Sequence, residues 1–243
     1  MFKLRSLLFA SLVLASTTGW TTVEIGSGGA FSLGDGQIDL AGGDLRIDGQ
    51  FDVGSGIVRN VSSVLINGNL GGGSGLIEAW GDWINAGSFS AGSGTVNLLD
   101  SSGQASGIRG ESTFSSLSLT STAGGRFVFE SGLEQRVLGT LTILGLDGTP
   151  VQVESDSPPQ PAFLWLDPAG TQVIDNVGVS NVHATGQHLA PDQTNQGGTG
   201  NDLGWFAQVF DAIPVPTLSI LGMLLLALAM LTLGNARQFR RQV

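Results

Sequence analysis

Four stretches of this chain follow one pattern: GAFSLGDGQI (Gly29–Ile38), GQFDVGSGIV (Gly49–Val58), GNLGGGSGLI (Gly68–Ile77) and GSFSAGSGTV (Gly87–Val96). Each reads G-x-Φ-x-x-G-x-G-x-Φ, with Φ apolar. The starting glycines stand 20, 19 and 19 residues apart, and Gly34, Gly54, Gly73 and Gly92 repeat those intervals. A fixed period near 20 is the signature of stacked structural repeats. Between the blocks lie short alternating runs, QIDL (Gln37–Leu40), DLRID (Asp44–Asp48), SVLIN (Ser63–Asn67) and DWIN (Asp82–Asn85). Alternation of period 2 puts Ile38 with Leu40, and Leu45 with Ile47, on one face of a strand.

One coil of a parallel β-helix uses about this many residues, in two or three short strands joined by turns. The expected fold is therefore all-β, a right-handed parallel β-helix in which Phe31, Phe51, Leu70 and Phe89 form one interior stack. Glycine belongs at the corners, where the chain needs positive φ or close approach between coils. Strand-like segments continue as SLSL (Ser116–Leu119), RFVF (Arg126–Phe129), TLTIL (Thr140–Leu144), VQV (Val151–Val153) and VIDNVGVSNV (Val173–Val182). The period blurs there. SDSPPQP (Ser155–Pro161) reads as a protruding loop or a break between solenoid parts. A two-sheet sandwich is the alternative, since short strands with frequent turns also suit it, but the register of the four blocks favours the solenoid.

The two ends differ from the middle. Lys3 and Arg5 precede an apolar run from Leu7 to Leu14 and then small residues, the layout of a secretory signal peptide over residues 1–19, with cleavage points between Ala15 and Trp20. Residues 20–190 form the β-helical ectodomain. From Pro191 the sequence loses its strand pattern and gains Gly, Asn and Gln, so 191–212 is expected as a linker, in which Trp205 caps the last coil. Thr217–Ala236 is a run of 20 residues without a charge, long enough as a helix to cover about 30 Å of hydrocarbon. Arg237, Arg240 and Arg241 follow it and hold that end in the cytoplasm by the positive-inside bias. Those three arginines with Lys3 and Arg5 are five of the ten basic residues, while all 20 acids lie between the ends. The exported part thus carries 5 − 20 = −15, which repels nucleic acid and anionic lipid surfaces.

Residues 213–243 resemble the IPTL-type C-terminal sorting signals of Gram-negative bacteria, grouped with the substrates of exosortase-like membrane enzymes. The resemblance rests on Val215, Pro216, Thr217, Leu218 and Ser219, then Gly222, the apolar helix and the arginine cluster. Val215 stands where the family has Ile, with Ile213-Pro214 as an overlapping second start. It implies passage through the inner membrane, an exosortase-like sorting enzyme as partner, and delivery to the cell surface or outside. The body, from GDWINAGSFSAGSGTV to DNVGVSNVHATGQ and GWF, resembles the Gly-rich β-helical modules of secreted, adhesin-like bacterial surface proteins.

Chemistry-bearing patterns are few. The chain has no Cys and two histidines, His183 and His188, outside any HExxH pattern, which excludes thiolate sites. None of the repeated Gly-x-Gly pairs completes G-x-G-x-x-G, because Asp39, Arg59, Glu78 and Asn97 occupy the last position. Asp35, Asp39, Asp44, Asp48 and Asp52 fall close together, and GDGQIDLAGGDLRID (Gly34–Asp48) partly resembles calcium-binding nonapeptide repeats. Later blocks lack the matching Asp, so these read as solvated turn and strand residues. No catalytic, cofactor or metal residue is assigned. The expectation is an exported structural or adhesive protein that is not an enzyme, with surface polysaccharide as a further candidate partner. The alternative is a polysaccharide lyase or glycosidase on a β-helical scaffold, since such enzymes use clustered acids.

Overall fold

The structure, a computed structural model, describes residues 13–17 and 20–207, with side chains from Thr22 onward. The sorting motif, the apolar helix and the arginine tail lie outside the described residues, as do residues 1–12 of the leader. The described chain is all-β, a parallel β-solenoid of about eight coils without a helix. Among the described residues no helix is long and apolar enough to cross a membrane.

Strand β1 (Val13–Thr17), inside the span read as leader, pairs antiparallel with β2 (Trp20–Ile25). The first coil is β2, β3 (Ala30–Ser32) and β4 (Gln37–Asp39). The second is β5 (Leu45–Ile47), β6 (Gln50–Asp52) and β7 (Ile57–Val61), and the third β8 (Val64–Ile66), β9 (Asn69–Gly71) and β10 (Leu76–Ala79). The fourth is β11 (Trp83–Asn85), β12 (Ser88–Ser90) and β13 (Thr95–Asp100). The fifth coil has two strands, β14 (Ala105–Arg109) and β15 (Ser112–Ser121), as does the sixth, β16 (Arg126–Phe129) and β17 (Glu134–Leu144). The seventh is β18 (Val151–Ser155), β19 (Ala162–Leu166) and β20 (Thr171–Asp175), and the eighth β21 (Val177–Ser180) and β22 (Val182–Gly186).

Apart from β1 with β2, every pairing between these strands is parallel and joins successive coils, so the sandwich alternative is not formed. The solenoid has three faces. Face one stacks β2, β5, β8, β11, β14, β16, β18 and β21. Face two begins as β3, β6, β9 and β12, and face three as β4, β7, β10 and β13. In the fifth and sixth coils one long strand serves both. The first part of β17 pairs with β19 and its second part with β20, and β15 pairs with β17 in two registers broken between Phe114 and Ser116. A bulge there replaces the Gly-x-Gly turn.

The inward residues form the expected rows. Phe31, Phe51, Leu70 and Phe89 are register partners in sequence, and Phe31 and Phe51 ring centroids lie 5.6 Å apart. Phe51 and Leu70 are buried, whereas Phe31 and Phe89 pack against the core half-buried. Phe114 extends the stack, 5.6 Å from Phe89. On face three, Ala79, Leu98, Leu119, Ile143 and Ile174 make a second row, all buried. The buried members of these rows lose nearly all their apolar surface to the interior, at about 25 cal/mol per Å².

The glycines divide their labour. The first of each Gly-x-Gly pair, such as Gly73 (φ +58°), takes the left-handed conformation of a tight turn closed by the bond from Gly75 N–H to Gly72 O at 3.0 Å. The glycines that open the blocks are needed for proximity: a Cβ on Gly49, Gly68 or Gly87 would come inside 3.0 Å of a glycine carbonyl of the coil before.

One reading of the later chain is narrowed to its first alternative and another changes. SDSPPQP is a loop within the seventh coil, because face one and face two both continue across it. Residues 191–207, expected as linker, fold back on the eighth coil. Asn181 N donates to Gly200 O (2.9 Å), Ala184 N to Leu203 O (2.8 Å) and Phe206 N to Leu189 O (2.8 Å). Trp205 and Phe206 are buried there, Trp205 bridged to Leu189. One compact unit ends at Ala207.

Candidate functional surface

Val215, Pro216, Thr217, Leu218, Ser219, Arg237, Arg240 and Arg241 lie outside the described residues. The acids close in sequence are separated by the winding. Asp35 sits in the turn between faces two and three, Asp39 on face three, Asp44 before face one, Asp48 after it, and Asp52 at the end of face two.

Most of these carboxylates secure the backbone or a neighbour one coil on. Asp39 accepts from Asn60 Nδ2 (2.9 Å to each oxygen), Ala41 N (3.0 Å) and Arg59 Nε (3.1 Å). The Asn60 amide above all, then the Ala41 N–H and Arg59, hold its carboxyl below the usual range. Asp48 accepts from Arg46 Nε (2.8 Å) and Asn67 Nδ2 (2.6 Å), which lower its pKa likewise. At the corner before face one, Asp44 Oδ1 accepts from Ser63 N (3.1 Å) and Ser63 Oγ from Asp82 N (3.2 Å). Asp82 Oδ1 then accepts from Gly107 N (2.6 Å). Asp52 Oδ1 accepts from Gly54 N (3.0 Å).

Among the described residues no three His, Cys, Asp or Glu come together as metal ligands. The histidines are apart from the acids too: His183 Nε2 meets Asn201 Oδ1 (3.1 Å) and His188 Nε2 donates to Phe206 O (2.6 Å). Among the described residues Asp100 is the buried carboxylate. Burial raises its pKa, but Ser121 Oγ (2.7 Å), the N–H groups of Ser102 and Gly103 (both 3.1 Å) and Ser102 Oγ outweigh that and leave it lowered.

Face two presents a different surface. Its outward residues in the first four coils are Ala30 and Ser32, Gln50 and Asp52, Asn69 and Gly71, Ser88 and Ser90. They are short or polar and none is basic. Two adjoining open depressions of about 330 and 310 Å³ share Gln50 and Asn69. In the last coils the same face turns aromatic and charged. Arg136 lies 3.9 Å over the Trp165 ring and bonds Glu134 at 2.7 Å, and Phe163 meets His183 edge-on at 5.8 Å.

Sequence reasoning passed over both parts of this face. The first was legible in the blocks, whose second and fourth positions point outward wherever the third points in. The second was signalled by AFLWL (Ala162–Leu166), apolar at all five positions where other strands alternate. Comparison with protein-family models, curated proteins and solved structures finds no match for this chain. Fold and surface together define a parallel β-solenoid whose second face carries open depressions in its first coils.

Proposed function

We propose that the chain is an exported cell-surface or extracellular-matrix protein with a structural or adhesive role. Residues 1–19 direct export and are removed. The motif Val215–Ser219 is read by an exosortase-like membrane enzyme, with helix 217–236 held in the inner membrane and Arg237, Arg240 and Arg241 on the cytoplasmic side. The coils wind right-handed, as crossovers between parallel strands do in about 98% of cases. One observation carries the adhesive reading. The acids that a hydrolase would group are spread around the coil and bonded to backbone and neighbours, while face two leaves hydrogen-bonding groups free in the first four coils.

Sorting has its own test. A plain anchor depends only on length, hydrophobicity and flanking charge, whereas a sorting enzyme reads Pro216 and Thr217. The Pro216→Ala/Thr217→Ala variant should be exported and inserted yet stay full-length in the inner membrane. Wild type should lose a tag placed after Val243, keep one placed before Asp211, and move outward in a host carrying the cognate enzyme. Identical processing of the two proteins would reduce the motif to a helix start.

A further inference from the structure

We propose that the groove on face two across the first three coils binds an uncharged polysaccharide, lying along the solenoid axis. This inference rests on the adhesive reading and gives it a site. Gln50 and Asn69 are register partners on adjacent strands, both exposed, and their side-chain amides have no partner among the described residues. Many amides elsewhere are engaged, as Asn67 is with Asp48, Gln135 with Gly110 and Asn195 with Val179, and Gln50 and Asn69 stand as a free pair in one column. Each amide offers an acceptor oxygen and two N–H donors, which matches a sugar ring whose neighbouring hydroxyls both donate and accept. Adjacent strands are about 4.8 Å apart, so the two amides present a repeated pair of contacts along the axis. Ser32 and Ser88 add free hydroxyls on the strands to either side. Asp52 commits Oδ1 to Gly54 N–H, leaving Oδ2 as an acceptor for a hydroxyl.

The lining excludes other ligand classes. No Lys, Arg or His faces outward on face two in the first four coils, so nothing there neutralises phosphate, sulfate or uronate groups. A bound protein would need deep, enclosed apolar pockets, whereas the depression that Phe31 and Phe51 help to line is open and the side chains rising around it are short or polar. An added strand would need unpaired backbone, but β6 and β9 are paired on both sides. Along the axis the neighbouring outward residues are Ala30 and Ser32 in the first coil and Ser88 and Ser90 in the fourth, all short, so a polymer longer than the groove passes over them.

The test uses the full chain in polyoxyethylene detergent, on native gels cast with dextran, mannan, xylan, a β-glucan or alginate. At least one neutral polymer should retard wild type. Gln50→Ala/Asn69→Ala should weaken that retardation at least about tenfold in apparent Kd, the size of two lost hydrogen bonds, with an unchanged melting temperature. Asn97→Ala on face three should bind as wild type. Ser32→Phe, which fills the groove from β3, should also abolish binding and serves should the double variant misfold. No retardation by any neutral polymer, retardation by alginate alone, or wild-type binding by the double variant would overturn the proposal. Because the readout is binding by purified protein, failure here leaves the export reading standing, and failed sorting leaves the groove standing.

Discussion

Gly34 and Gly73 hold the same position in the same turn, with φ of +68° and +58°, and differ in whether a coil lies beneath. A Cβ on Gly34 meets nothing within 4 Å, whereas one on Gly73 would fall inside 3.0 Å of the Gly54 carbonyl oxygen. Substituting Ala at either site costs about 1–2 kcal/mol for the left-handed backbone, less about 0.4–1 kcal/mol regained from the stiffer unfolded chain. Gly34→Ala should therefore cost about 1 kcal/mol. At Gly73 the added methyl must also push two coils apart, which as overpacking costs about 1–3 kcal/mol. The same displacement strains the bond from Ser74 N to Gly54 O, now 2.7 Å and worth about 1 kcal/mol. Gly73→Ala should cost about 3–4 kcal/mol in all. Urea unfolding of both variants, followed by circular dichroism and tryptophan fluorescence, measures the difference. Effects equal within about 0.5 kcal/mol would mean that proximity between coils is not what keeps glycine in this column.

Phe51→Asp should destabilise by at least about 4 kcal/mol, losing a buried ring between Phe31 and Leu70 and leaving a charge without a partner. Asp52→Asn should stay within about 0.5 kcal/mol, because the amide oxygen still accepts from Gly54 N, and equal melting temperatures for the two would show the faces reversed. Asp100 gives a pH signature. Its folded pKa is lowered, so the stabilisation is present above the unfolded value of about 3.9 and is lost as pH falls through the folded value. The melting-temperature gap between wild type and Asp100→Asn should be constant from about pH 7 to 5 and narrow below about pH 4. A gap that widens on acidification would contradict the bonding described for this carboxylate.

The faces of the early coils were legible because four blocks shared one register, which fixed inward and outward positions together. Later coils hid the period by changing length: Val64 pairs with Trp83, but Trp83 pairs with Ile108 and Phe127 with Val153. They also drop the Gly-x-Gly turn, since β15 and β17 bend round the corner as single strands. The capping segment was misread for a physical reason. Its Asn and Gln composition resembles a linker, but these side chains replace a missing strand. Asn195 Oδ1 accepts from Val179 N (3.0 Å) and its Nδ2 donates to Val179 O (2.8 Å). Gln193 Nε2 donates to Ile174 O in the same manner. Amides satisfy a sheet edge as backbone would, without leaving an alternating pattern in the sequence.

Winding also decides where chemistry can form. Residues four or five apart on a coil face different sides, while residues 19 or 20 apart stand about 4.8 Å from one another. A retaining pair of carboxylates, about 5–5.5 Å apart, would need acids in adjacent coils of one column. Read down the columns, the early aspartates meet something else: Asp39 meets Arg59, Asp48 meets Asn67, and Asp52 meets Gly71. Asp44 and Asp82 share a corner with Ser63 between them, and each commits an oxygen to the backbone of the next coil. Gln50 and Asn69, distant in sequence and unremarkable there, are the pair that the winding brings together unspent. On this fold the linear cluster of acids follows from the number of turns per coil, and the ligand-facing surface follows from the columns.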